Sequence, residues 1–254
     1  MVLMALMQRR MVVAVLLALY WPLAFVLSHI PMPQVVRDAQ MSDKSLHFLA
    51  YLVLTFLLFS AVKPFEKVRW RRAAAWWVLG VALVYGVCDE LLQHYVAGRS
   101  TDVRDLAADA AGAVAALGVL TFLSFWPACV TVAGAVILAL GVFTRANVTH
   151  LLPVTATVFH AAAYAVFTLL WAGYLHQRGM WGRTGAGRFL ASVAAPAVLI
   201  VVVKAGGMLS GKAFSGWDMV AAAGGVLLAS TAVAVAAKLG RRRAEAAESS
   251  ASIR

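Results

Sequence analysis

The sequence predicts an all-α fold, a polytopic membrane bundle of about eight helices built as two parallel four-helix repeats with both termini on the cytoplasmic side. Three observations predict it. Hydrophobic residues make up 63% of the 254-residue chain and charged ones only 13%, whereas soluble domains are about half apolar and a quarter charged. The apolar runs approach the ~20 residues that cross a bilayer as a helix. The basic residues gather in alternate loops, as a membrane topology requires.

The predicted segments are 11–28, 45–62, 73–95, 105–123, 127–143, 154–174, 189–208 and 218–237. The first follows Arg9-Arg10 and lacks a small-residue cleavage site, so it reads as a retained helix rather than a signal peptide. The second opens with "SDKSLHFLAY", where Ser42 or Asp43 can cap the helix N-terminus. The third starts among Trp70, Trp76 and Trp77 and ends in "DELLQH". The fourth carries Asp105 and Asp109 and few bulky residues, and its Gly112 and alanines suit close approach to neighbouring helices. The fifth is short, and the sixth contains "FHAAAYAVFTLLW". The seventh holds Lys204, read as a snorkelling side chain. After the eighth, residues 241–254 read as a disordered, basic and polar cytoplasmic tail that touches anionic lipid.

The charge pattern sets the orientation. Fifteen of the 22 Lys and Arg lie before segment 1, in the 2–3 loop, around the 6–7 loop or after segment 8, so those regions are assigned to the cytoplasm. The net charge of +11 is therefore a topology signal and not a nucleic-acid footprint. Cys88 and Cys129 have neither zinc nor redox spacing, and the topology sets them near opposite faces, so no disulfide is expected.

The chain resembles itself at an offset of 113 residues: His47 matches His160, Tyr51 Tyr164, Thr55 Thr168, Asp105 Asp218 and Gly112 Gly225. One frame that pairs so many residue types favours duplication over shared composition. Residues 1–122 form the first unit and 123–240 the second. Glu90, Gln93 and Asp109 map to Val203, Gly206 and Ala222, so the activity is expected in the first unit, with the second mainly a packing partner.

In that first unit the polar residues converge on the outer face. Asp43, His47 and Tyr51 share one helical face at i, i+4, i+8. Glu90, Gln93 and His94 share another, with Asp89 pointing elsewhere. Gly98 permits a turn, and Arg99 offers a planar fork for phosphate or carboxylate. Asp102, Asp105 and Asp109 lead into the fourth segment on one face. The ordinary alternative is an internal ion-pair cluster, with Arg99 on Glu90 and Lys44 on Asp105. Ionisable groups inside membrane helices are nonetheless functional candidates by default. His29, His94, His150 and His176 read as ordinary loop or interface residues.

These residues carry a resemblance. "DKSLHFLAY" followed by "DELLQHYVAGRSTDVRDLAADAAGA" resembles the VanZ-like family of bacterial membrane proteins, through Asp43, Lys44, His47, Tyr51, Glu90, Gln93, Gly98, Arg99, Asp105 and Gly112. The family usually has Asn where this chain has Asp109, and a carboxylate cannot donate the amide hydrogen bond. The resemblance implies a multi-pass protein of the bacterial cytoplasmic membrane with a cell-envelope role and a link to teicoplanin resistance. It implies no mechanism.

Three functions compete. The first is a site of Asp43, Lys44, His47, Tyr51, Glu90, Gln93, Arg99, Asp105 and Asp109 that binds an anionic headgroup, on a membrane lipid or a lipid-linked envelope precursor. The second is an enzyme on a lipid-linked phosphate or sugar, with Glu90 or Asp105 as base and His47 as proton partner. No cofactor is expected, but a divalent ion among Glu90, Asp102 and Asp105 belongs to this reading. The third is a small transporter, suggested by the parallel repeat. The sequence leaves catalysis and oligomeric state open.

Overall fold

The computed structural model describes residues 2–29, 43–96, 101–143, 153–180, 184–211 and 216–252. Among them it has eight helices long and apolar enough to cross a membrane, and no strand. They are α1 (Val2–His29), α2 (Asp43–Val62), α3 (Ala73–Gln93), α4 (Val103–Phe122), α5 (Phe125–Phe143), α6 (Pro153–Gln177), α7 (Gly185–Leu209) and α8 (Gly216–Ser252). The chain is a multi-pass helical membrane protein. With hydrocarbon as solvent, every backbone polar group must be satisfied within the helix, and apolar side chains can face outwards at no cost. Leu19, Trp77, Leu190, Val201 and Leu228 do so.

The chain divides into two compact units, Met1–Val132 and Ala133–Arg254. The boundary lies within α5, about ten residues beyond the one expected from the sequence, because Phe125 at the start of α5 stacks on Phe56 and meets Phe65 edge-on.

In the first unit, α2 and α4 form the most intimate pair. A Cβ at Gly112 would collide with the carbonyl oxygen of Phe48 and lie 3.0 Å from the amide nitrogen of Leu52, so only glycine allows this crossing. Around the pair, Leu54, Val78, Ala113, Ala116, Leu117 and Leu120 are buried. Tyr20 of α1 donates to the carbonyl of Ala50 (3.0 Å), which fixes α1 on α2. At one end, the basic loop 63–72 closes the C-terminus of α4. Val68 donates its N–H to Leu120 (3.0 Å), Lys67 its ammonium to Phe122 (2.6 Å), and Trp70 its indole N–H to Thr121 (3.0 Å). The first two bonds occupy carbonyls that a helix end leaves open, and the third ends on the Thr121 hydroxyl.

In the second unit, α6 and α8 form the corresponding intimate pair. A Cβ at Gly225 would collide with the carbonyl oxygen of Ala161, the residue 113 positions after Phe48. Tyr164 and Thr168 are buried like Tyr51 and Thr55. Two expectations need correction here. Lys204 does not snorkel: its ammonium lies 3.3 Å from Asp218, which also faces His160 at 3.9 Å. And α8 continues to Ser252, through most of the tail expected to be disordered. The segment "RRRAEAAE" is composed of strong helix formers, which carry a helix onward once it is nucleated.

Candidate functional site

The ends of α1 and α3 and the starts of α2 and α4 meet at the end of the first unit opposite the basic loop, and each contributes polar side chains. Asp43, in the first turn of α2, is placed favourably toward the positive end of the helix dipole. Next to it, Lys44 reaches α4, with its ammonium 3.1 Å from Asp102 and 3.4 Å from Asp105. One turn deeper, His47 Nδ1 is 2.9 Å from Asp109 Oδ1. The imidazole is 6% exposed and the carboxylate 0%. With Asp109 ionised the carboxylate only accepts, and the Nδ1–H tautomer of His47 then donates to it. A further turn in lies Tyr51, 4% exposed and stacked on Tyr85. The Tyr51 hydroxyl and Asp109 Oδ2 both border Gly86, where a Cβ would lie 3.4 Å and 3.2 Å from them.

From α3 come Asp89, Glu90 and Gln93, all buried. Glu90 Oε2 accepts the backbone N–H of Asp102 (3.1 Å), so α3 supports the start of α4. Asp102 is the N-cap of α4 in extended conformation, and its Oδ1 accepts from the N–H of Arg104 (2.9 Å). That bond, and then the Lys44 ammonium, hold the Asp102 carboxyl below its ordinary value.

The expected residues Asp43, Lys44, His47, Tyr51, Glu90, Gln93, Asp105 and Asp109 gather at this one end. Gly98 and Arg99 lie outside the described residues, and with them the expected Arg99–Glu90 pair. His94 shares the helical face of Glu90 and Gln93 by spacing, but it sits beyond the end of α3 and is exposed.

Sequence reasoning missed Asp89 and His29. Asp89 is buried, accepts from Ser28 Oγ (2.9 Å) and Gln93 Nε2 (2.8 Å), and lies 3.6 Å from His29 Nδ1. His29 in turn stacks on Phe25, with ring centroids 4.0 Å apart. The signal was present in the i, i+4 spacing of Asp89 and Gln93. A residue turned away from Glu90 still faces the bundle, because α1 packs on that side of α3.

The metal-ligating geometry also differs from expectation. Among the described residues, the sets whose ligand atoms lie within 4.8 Å of one another are Asp43–His47–Asp105 and His47–Glu90–Asp109. Glu90 and Asp105 thus fall in different sets that share His47. Asp102 is in neither, being engaged by the α4 cap and Lys44.

Beside this end lies an apolar groove of about 500 Å³, lined by Leu17, Trp21, Pro22 and Phe25 of α1 and by Tyr85 of α3. Phe25 is common to the groove wall and the His29 stack.

A chain with eight helices long and apolar enough to cross a membrane among its described residues, and with carboxylates and an imidazole buried at one end of its first unit, is an integral membrane protein with a polar site. Residues 7–125, the stretch that holds the described site residues, match the model of the family described as VanZ/LLP1 and are similar to that family. No curated protein and no solved structure matches the chain.

Proposed function

We propose that the first unit is a membrane enzyme acting on a lipid-linked phosphate of the bacterial cell envelope, with the polar end facing the outside of the cytoplasmic membrane. The carrying observation is the buried His47–Asp109 pair at 2.9 Å. A carboxylate that fixes the tautomer and orientation of an imidazole is the arrangement of a general acid–base. The groove beside it suits a prenyl or acyl chain, and the membrane surface supplies the substrate laterally. Lys44 contributes positive charge at the mouth. His47 would take a proton from the attacking water or hydroxyl, or return one to the leaving oxygen. Glu90 and Asp105 are neighbouring carboxylates.

Direct capture of an anionic headgroup, without chemistry, is less well supported. Lys44 already bridges Asp102 and Asp105, and carboxylates outnumber cationic groups among the described site residues. A role in teicoplanin resistance would follow from altered envelope lipid at the outer surface.

Turnover of polyprenyl phosphates and diphosphates by protein in lipid nanodiscs tests the reading. Wild type is expected to release phosphate or transfer the phosphoryl group, and His47→Asn and Asp109→Asn to lose roughly 10²–10⁴-fold, the usual contribution of a positioned acid–base. Absence of turnover, or full activity in both variants, would refute the proposal.

A further inference from the structure

We infer that His47, Glu90 and Asp109 form a binding site for one divalent transition-metal ion, of the manganese or zinc type. The inference deepens the proposed function, on which it rests for the role of the site but not for the geometry; with an ion bound, His47 would be a ligand and a water held by the ion would take over its proton-transfer role.

Three buried ligand groups from three helices bring one ligand atom each within 4.8 Å of the others. Ligand atoms about 2.0–2.2 Å from an ion lie about 3–4.4 Å apart, so the trio closes on an ion by small side-chain rotations. Two of its oxygens have nothing else to do. Glu90 spends Oε2 on the Asp102 N–H and Asp109 spends Oδ1 on His47, while Glu90 Oε1 and Asp109 Oδ2 are buried without a hydrogen-bond partner. A buried carboxylate oxygen without a donor is costly. Tyr51 adds an independent indication. Its hydroxyl, on a side chain more than nine-tenths buried, also lacks a partner and borders the same Gly86 notch as Asp109 Oδ2. A water carried by the ion would satisfy it.

The second unit provides an internal contrast. In the frame offset by 113 residues, Asp105 corresponds to Asp218, and each has a lysine at hand: Lys44 at 3.4 Å and Lys204 at 3.3 Å. Glu90 and Asp109 correspond to Val203 and Ala222, both buried and apolar. So the carboxylates served by a built-in ammonium recur in both units. Of the pair confined to the first unit, Asp109 has the His47 imidazole and Glu90 the Asp102 backbone N–H, and among the described residues neither has a lysine or arginine. An external cation would complete the pair. Imidazole together with carboxylates suits manganese or zinc better than calcium or magnesium, which take all-oxygen shells. At such an ion a phosphate oxygen could be polarised, so that an acidic site could receive an anion.

The test is metal binding by the full chain in nanodiscs after chelation. Titration with Mn²⁺ is followed by electron paramagnetic resonance and with Zn²⁺ by elemental analysis. One ion per chain is expected, with affinity falling at least tenfold in Glu90→Gln and Asp109→Ala and unchanged in Asp102→Asn. Should those variants fail to fold, wild type alone decides: bound Mn²⁺ must show nitrogen hyperfine coupling from an imidazole. No bound ion, no nitrogen coupling, or equal loss in Asp102→Asn would each overturn the site. An ion bound without turnover refutes only the proposed enzyme, and turnover unaffected by exhaustive chelation refutes only the metal.

Discussion

Substituting Gly112 by Ala should separate α2 from α4 and disturb the site without touching any of its polar groups. The added Cβ would collide with the Phe48 carbonyl oxygen and stand 3.0 Å from Leu52 N and 3.1 Å from Phe48 C, all backbone atoms that no rotamer change can move aside. Relief requires the helices to part by about 1 Å, and overpacking of this kind costs roughly 1–3 kcal/mol. Gly→Ala in a helix interior returns up to about 1 kcal/mol, so the net effect is a loss. Gly118 on the same helix is the control: a Cβ there meets nothing within 4 Å, and Ala should stabilise by about 0.5–1 kcal/mol. Thermal unfolding of the detergent-purified proteins, followed by tryptophan fluorescence, should therefore move in opposite directions. The same displacement stretches the His47–Asp109 bond from 2.9 Å toward a length at which hydrogen bonding fails, beyond about 3.2 Å. Gly112→Ala should lose turnover and Mn²⁺ affinity, whereas Gly225→Ala, facing the Ala161 carbonyl, should lose stability alone. A Gly112→Ala protein as stable as Gly118→Ala would refute the argument.

Asp89→Ala removes the acceptor of both Ser28 and Gln93 and should destabilise by about 1–3 kcal/mol in chemical unfolding, while Asp89→Asn, which keeps one acceptor, should lose less; equal losses would argue against the hydrogen-bond account. Lys204 and Asp218 should show a coupling of roughly 0.5–3 kcal/mol in a double-mutant cycle, and additive effects would return Lys204 to a snorkelling role. Asp102 has a folded-state carboxyl held below its ordinary value, so its stabilising contribution is present above the unfolded value and lost as pH falls through the folded one. The stability gap between wild type and Asp102→Asn should accordingly be larger at pH 6 than at pH 3, and a constant gap would refute that assignment. Finally, in a background without Cys88 and Cys129, a membrane-impermeant maleimide should label Gly98→Cys in intact cells and Arg71→Cys only after permeabilisation; the reverse pattern would invert the topology.

The number and order of the helices were legible because twenty-residue apolar runs admit few other solutions in a bilayer. The His47 and Tyr51 stripe was legible for a related reason, since helical spacing alone puts it on one face. Partner choice was not legible. Spacing says that Asp102, Asp105 and Asp109 follow one face of α4, but not that their depths separate their tasks. Asp102 sits at the rim and caps, Asp105 meets Lys44 just inside, and Asp109 is sealed against His47. Those depths follow from the α2–α4 crossing, which Gly112 fixes three residues beyond Asp109. Asp89 was missed because a single helix was considered against a single neighbour, whereas α3 is flanked by α4 on the Glu90 side and by Ser28 of α1 on the other.

The two units together separate what the fold needs from what the site adds. The glycine crossing, the buried tyrosine and threonine, and a lysine-paired aspartate occur in both, so they are explained by packing and charge balance alone. Glu90, Gln93 and Asp109 occur only in the first, where Val203, Gly206 and Ala222 mark the same positions of the second. A helix bundle gains no stability by burying two extra carboxylates in place of valine and alanine, because desolvation outweighs what one histidine returns. Their presence calls for a return outside folding, and a bound ion acting on a phosphate at the membrane surface would supply one. Transplanting the triad by Val203→Glu and Ala222→Asp, with Lys204→Leu to remove the resident ammonium, should create a second Mn²⁺ site beside His160. Two ions per chain would support this account, whereas a folded triple variant that still binds one would show that the first unit holds its ion by means other than these three side chains.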